Sequence, residues 1–253
     1  MKIKKVIAKQ VLDSRKEPTV QVIIKTGFFR KFKTSAPEGK STGKYEAKPY
    51  SRNLNSDIFY INRLDVEELN KLNIKSFKDL EKLERKVKNK IGANSLFALE
   101  ASLLKALAYE NKKELYSFLG GKKENIKNLR PVGNAIGGGL HGEGIKKREP
   151  DFQEFLFIAN AKTFEECVKI NELAYKLANK FLKSWSKNDE GAWKTGKTNE
   201  EVLMILDKVR QIIKGVYKKE IDIGVDIASS GFYKNGKYDY KNPDEHRINP
   251  YDN

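Results

Sequence analysis

From about residue 125 onward the apolar residues switch between a period of two and a period of 3.6. No other feature of the chain constrains its fold as much. Phe152–Ile158 reads as a strand. Thr163-Phe-Glu-Glu166 caps a long helix with Cys167, Ile170, Ala174, Leu177, Phe181 and Trp185 at helical spacing. Thr198-Asn-Glu-Glu201 caps another, which carries Val202, Ile205, Leu206, Val209, Ile212 and Val216. Ile221–Ile227 is a strand of alternating β-branched residues. Alternating β and α elements predict a parallel sheet or a barrel. A barrel of eight such units takes roughly 250 residues, and only about 125 remain here, so a barrel built from them is incomplete.

Residues 1–125 read as a separate α+β domain, with 126–253 as the second. Val6–Leu12, Val20–Lys25 and Phe28–Lys33 alternate apolar with polar residues, and Thr26-Gly27 fits a hairpin turn. Ser76 and Asp79 suggest a capping box ahead of Phe77, Leu80, Leu83 and Val87, with Gly92 closing that helix. Leu96, Leu99, Leu103, Ala106 and Leu107 line one face of a core helix.

The chain carries 50 Lys+Arg against 34 Asp+Glu. Residues 1–50 hold 13 basic and 4 acidic side chains, whereas 201–253 hold nine of each. Such a basic region could be an electrostatic footprint for nucleic acid. No block of five or six like charges occurs, however, and the lysines alternate with apolar residues. Solvated faces therefore explain them better, and no nucleic-acid partner is expected. The single cysteine, Cys167, excludes an intramolecular disulfide framework and suits a reducing compartment. No apolar stretch approaches the roughly 20 residues of a membrane span, and none follows the basic start as in a signal peptide. A soluble cytoplasmic protein without a membrane partner is the expectation.

Four segments concentrate unusual chemistry. Pro37–Glu46 is a polar, glycine-containing loop in which Gly39-Lys40-Ser41 imitates the end of a phosphate loop. Thr34 stands where that motif needs its first glycine. Asn134–Gly144 packs five glycines around His141, one of two histidines, and so offers a backbone able to approach a ligand closely. Glu154, which follows it, shares a strand face with Phe152 and Leu156, a costly place for a carboxylate unless it is paired or used. Asp189-Glu190-Gly191 lies between two helices, and Gly191–Thr198 matches G-x-x-x-x-G-K-[ST] in full. The polar run before it, Ser186–Glu190, lacks the apolar strand a phosphate loop requires. Asp226 ends a strand, where barrels and open sheets place ligands. The plainer reading is a turn or N-cap aspartate.

Taken in order, these segments resemble the enolase family, the phosphopyruvate hydratases. Val11-Leu-Asp-Ser-Arg15 with Pro18-Thr19-Val20 is similar to DSRGNPTV, and Ser41–Ala47 to STGxxEA. Gly92-Ala-Asn94, Gly138-Gly-Leu-His141, Gln153-Glu-Phe155, Asp189-Glu-Gly191 and Gly224–Ser230 continue the match at family spacing. The resemblance implies an N-terminal α+β cap over residues 1–125 and the first part of an enolase-type (β/α) barrel over 126–253. It implies Mg²⁺-dependent dehydration of 2-phosphoglycerate to phosphoenolpyruvate, and dimerisation through the N-terminal domain. Ser41 would lie in a closing loop and contact the second magnesium. His141 would sit near the phosphate and the reaction centre. Glu154 and Glu190 would form the acidic pair at the leaving hydroxyl, with Glu190 the general acid. Asp226 would be the first of three carboxylate ligands of the tighter magnesium.

Departures from the family pattern are Lys16-Glu17 for Gly-Asn, Glu38 for Ser, Ala192 for the second Gly of DEGG, and Gly231 for Glu of SSEFY. Beyond Tyr233 no residues match the remaining two ligands, the lysine base or the HRS segment, and His246-Arg247 comes too early to serve. Three readings follow. The chain could be the N-terminal half of a split enolase completed by a C-terminal chain, a non-catalytic enolase-like binding protein, or a nucleotide-binding protein built on Gly191–Thr198.

Overall fold

The computed structural model describes residues 2–27, 29–39, 41–122, 129–139 and 149–241. The chain forms two compact units. One comprises Met1–Gly39 with Tyr45–Asn125, and the other Lys40–Lys44 with Ile126–Asn253. No helix among the described residues is long and apolar enough to cross a membrane.

The first unit is built on an antiparallel meander of β1 (Ile3–Leu12), β2 (Pro18–Thr26) and β3 (Arg30–Ala36). Alternation puts Val20, Val22 and Ile24 of the central strand wholly inside. Five helices follow: α1 (Leu54–Asn62), α2 (Val66–Lys71), α3 (Leu80–Val87), α4 (Ala93–Glu110) and α5 (Leu115–Phe118). Leu99, Leu103, Ala106 and Leu107 of α4 pack on the sheet in one apolar cluster with Leu83 and Val87 of α3. Full burial of each large aliphatic side chain contributes about 1.5–3 kcal/mol. The outer edge of β1 is covered by side-chain amides. Asn62 exchanges two hydrogen bonds with Ala8, and Asn70 two with Ile3, at 2.8–3.0 Å. They satisfy backbone groups that would otherwise invite another strand.

Two expectations for this unit are corrected. The capping box at Ser76 is half made: Asp79 accepts the Ser76 N–H at 3.0 Å, but the Ser76 hydroxyl donates to Asp79 instead of accepting a backbone N–H, and α3 begins only at Leu80. Gly92 does not close α3, which ends at Val87, but is the N-cap residue of α4. Its N–H donates to the fully buried Asp57 at 2.7 Å, and a Cβ there would meet Tyr50 Cα at 2.3 Å.

The second unit holds a four-stranded sheet in the order β6-β4-β5-β7. Its strands are β4 (Val132–Gly137), β5 (Glu154–Asn160), β6 (Trp193–Lys194) and β7 (Glu220–Asp226). Helices α6 (Phe164–Leu182) and α7 (Asn199–Gly215) cover one face. Both predicted N-caps form. Thr163 accepts the Glu166 N–H, and Thr198 with Glu201 makes a full capping box. Phe155, Phe157 and Ala159 of β5 pack with Cys167, Ile170, Ala174 and Leu177 of α6 and with Val202, Leu206, Val209 and Ile213 of α7.

The parallel sheet expected from β–α alternation is not what forms. β5 runs antiparallel to both β4 and β7, and only the short β4–β6 pair is parallel. One helix between two strands returns the chain to its starting end and makes the next strand parallel. Here α6 and α7 intervene together, so the chain reverses once more and β7 enters from the other end. The sheet does not close, and β6 and β7 are its edges among the described residues. Trp185 and Val216 were expected on buried helix faces. Trp185 lies beyond the end of α6 and is 94% exposed, and Val216 is the exposed C-cap of α7. After β7 a 3₁₀ turn (Ser229–Gly231) leads to the hairpin of β8 (Tyr233–Lys234) and β9 (Lys237–Tyr238).

Candidate active site

The face of the β4-β5-β7 sheet turned away from the helices gathers the acidic side chains. Because side chains alternate, β5 sends Phe155, Phe157 and Ala159 to the core and leaves Glu154, Leu156 and Ile158 half-buried on the other side. Glu154 pairs in register with Asp226, the last residue of β7, and Leu156 with Gly224. A bulge between Asn134 and Ile136 of β4 lets both side chains reach their places. Ile136 is wholly buried in the core, while Asn134 stays opposite Leu156 on the acidic face.

Glu190 reaches this face from the loop before β6. Asn134 Nδ2 donates to Glu190 Oε2 at 3.0 Å. Glu190 is hydrogen-bonded to Glu154, and the charges of Glu190 and Asp226 both act on Glu154. Burial most of all, then the Glu190 hydrogen bond and charge, and least the Asp226 charge, together push the Glu154 carboxyl up to about 7. The Glu154 carboxyl therefore keeps its proton to higher pH than an ordinary glutamate.

Asp226 Oδ1 accepts the Ala228 N–H at 3.2 Å, so the turn role weighed from the sequence is also filled. Ala228 is left-handed (φ 49°), a strained state for a residue with a Cβ, and it reverses the chain immediately after Asp226. Ser41, Thr42 and Gly43 line a 360 Å³ cavity together with Asp151, Gln153, Asp226 and Ser230. Asp151 Oδ2 and Gln153 Oε1 are buried there without hydrogen-bond partners. His141 lies outside the described residues.

Among the described residues no three His, Cys, Asp or Glu side chains are grouped as ligands of one ion. What Asp226 and Ser41 offer on their shared cavity is oxygen only, a donor set that fits a hard cation such as magnesium but is part of a ligand shell.

One glycine expectation changes. Gly137 and Gly138 were read as letting backbone approach a ligand, but they admit other parts of the chain. A Cβ on Gly138 would lie 2.5 Å from the Phe152 carbonyl oxygen, and one on Gly137 2.5 Å from Asn188 Nδ2. Gly191–Thr198 is not a phosphate loop. It begins after a turn, contains β6, and ends in the Thr198 N-cap, whose hydroxyl accepts the Glu201 N–H at 3.1 Å. Asn134 and Asn188 are functional candidates that motif reading passed over. Their only sequence signal is an amide beside a glycine run in one case and beside an acidic turn in the other.

Residues 3–119 match the family model "Enolase, N-terminal domain" and residues 128–251 match "Enolase, C-terminal TIM barrel domain". The chain belongs to the enolase family. It is 33% identical over 259 residues to an enolase of Thermoplasma acidophilum, covering 97% of this chain and 62% of that protein. It is 32% identical over 262 residues to an enolase of Ehrlichia ruminantium, covering 95% of this chain and 61% of that protein. The chain thus spans about three fifths of the length of these curated enolases.

Proposed function

We propose that residues 1–253 supply the N-terminal part of an enolase active site. Once the barrel is completed, the protein would dehydrate 2-phosphoglycerate to phosphoenolpyruvate, as a cytoplasmic enzyme that dimerises through its N-terminal domain. The observation that carries this reading is the acidic trio of Glu154, Glu190 and Asp226 at the ends of β5 and β7 and on the loop before β6. Glu190 delivers a proton to the departing hydroxyl, and the half-buried Glu154, its carboxyl raised to about 7 chiefly by burial, resupplies it through their hydrogen bond. His141 binds near the phosphate. Asp226 and Ser41 would hold magnesium, which when bound offsets the charge that develops on the substrate carboxylate. The lysine base and the two further carboxylates come from polypeptide outside residues 1–253, in our reading the C-terminal half of a split enzyme.

The test mixes this chain with the C-terminal half of a related enolase. It follows loss of the carbon-2 deuteron and phosphoenolpyruvate formation across a magnesium titration. Asp226→Ala should weaken metal binding and recover part of its activity at high magnesium. Glu190→Gln should lose roughly 10²–10⁴-fold in dehydration, keep deuteron exchange, and gain nothing from metal. Metal rescue of Glu190→Gln, or joint loss of exchange and dehydration, would remove Glu190 from the acid role. No activity in any mixture would favour a non-catalytic enolase-like protein.

A further inference from the structure

The loop that carries Glu190 hangs on one side chain to which the family reading gives no role. Asn188 Oδ1 accepts the backbone N–H of Glu190 at 3.0 Å and that of Ala192 at 2.9 Å. The Asn188 N–H donates to the Ala192 carbonyl at 2.9 Å, and the Gly191 N–H to the Asn188 carbonyl at 3.1 Å. One residue therefore closes the whole turn around Glu190. Its Nδ2 is buried without a partner, a costly state for a donor, so Oδ1 is what gives the amide its purpose.

The amide fits only because residue 137 has no side chain. Gly137 ends β4, paired with Glu154 on one side and Lys194 on the other. A Cβ there would lie 2.5 Å from Asn188 Nδ2 and 3.6 Å from Ala192 Cβ. The far side of the turn is braced by Tyr175, whose hydroxyl donates to the Gly191 carbonyl at 2.6 Å and whose ring stacks on Trp193 at 5.0 Å. Asn134 holds the Glu190 carboxylate itself.

We propose that Asn188, seated in the space left by Gly137, is the positioning residue for Glu190. It fixes the main chain while Asn134 fixes the carboxylate, so the side chain pivots between two anchored ends. The functional half of this proposal rests on Glu190 as proton donor; the structural half does not. A donor must come within about 2.6–3.2 Å of the atom it protonates, and a loop free to shift by an ångström loses that contact.

Amide hydrogen exchange on residues 1–253 separates the two halves. Asn188→Ala should speed exchange at the Glu190 and Ala192 amides by about tenfold or more. The Glu201 amide, held by Thr198 Oγ1, should stay unchanged. Asn188→Ser restores an acceptor at the same two-residue span and should recover most of the protection. Gly137→Ala should reproduce the Asn188→Ala pattern with Asn188 intact. In the completed enzyme Asn188→Ala should lower kcat by about 10–100-fold with little change in KM, and Asn188→Ser should recover part of it. Unchanged exchange at Glu190 and Ala192, or faster exchange in step with Glu201, overturns the proposal. Lost protection with wild-type dehydration leaves Asn188 holding the loop and overturns the acid role of Glu190 instead.

Discussion

Glu154 and Asp226 stand directly opposite each other across the β5–β7 ladder, one opening its strand and the other ending it. Like charges in that relation repel, and the hydrogen-bonded Glu190 adds a third carboxylate. A proton on Glu154 relieves the repulsion, as would a cation.

Stability should fall as pH rises from about 4.5 to about 7. Glu154 and Glu100 are both raised from 4.5 to about 7, in each case first by burial and then by a neighbouring carboxylate, Glu190 or Glu84. A raised carboxyl binds more protons folded than unfolded in that window, so the folded state loses ground there. Above pH 7 the penalty is fully present, and below 4.5 it is absent. Melting temperature against pH should flatten in steps with Glu154→Gln and Glu100→Gln. A wild-type slope kept in the double variant would contradict both assignments.

Gly92→Ala should be among the more damaging single-methyl changes in the chain. The new Cβ would meet backbone, Tyr50 Cα at 2.3 Å, and would pull the Gly92 N–H from the buried Asp57. A loss of about 2–4 kcal/mol in denaturant unfolding is expected, since overpacking and the loss of one hydrogen bond to a buried carboxyl combine.

Lys16→Gly should stabilise the first unit. Lys16 takes the place of a family glycine in the turn between β1 and β2 and has φ +66°. Relief of the left-handed strain exceeds the entropy cost of glycine by about 0.5–1 kcal/mol. A lower melting temperature in Lys16→Gly would show that the Lys16 side chain does more than occupy the turn.

Residues 1–253 by themselves should not turn over 2-phosphoglycerate. A carbon-bound proton of high pKa needs a positioned base, and no residue here matches the family lysine. Phosphoenolpyruvate formation from 2-phosphoglycerate should stay at background, and robust turnover by the pure polypeptide would overturn this expectation.

The same polypeptide should self-associate. The outer edge of β7 has no partner strand among the described residues, and Val225 and Ile227 beside it are exposed. Light scattering should report species larger than a monomer, and a Lys in place of Val225 should reduce them. A monodisperse wild-type monomer would show that the edge is covered.

What the sequence determined by itself is whatever depends on neighbours a few residues apart. The caps at Thr163 and Thr198 formed because a hydroxyl three residues before a backbone N–H needs nothing else. The meander and the faces of α4 and α7 followed from periodicity, and the family motifs from residue identity at fixed spacing. Tertiary structure alone decided the rest. Gly92 looks like a helix stop in sequence, yet Asp57 and Tyr50 make it the start of α4. The direction of β7 depends on how α6 and α7 pack together, which no strand pattern encodes. Glu154 owes its raised pKa first to burial and then to Glu190 and Asp226, which are remote in sequence. Asn188 matters because Gly137, on another strand, leaves it room. Local hydrogen bonds are written in short spacings, whereas packing, desolvation and charge coupling arise only when distant segments meet.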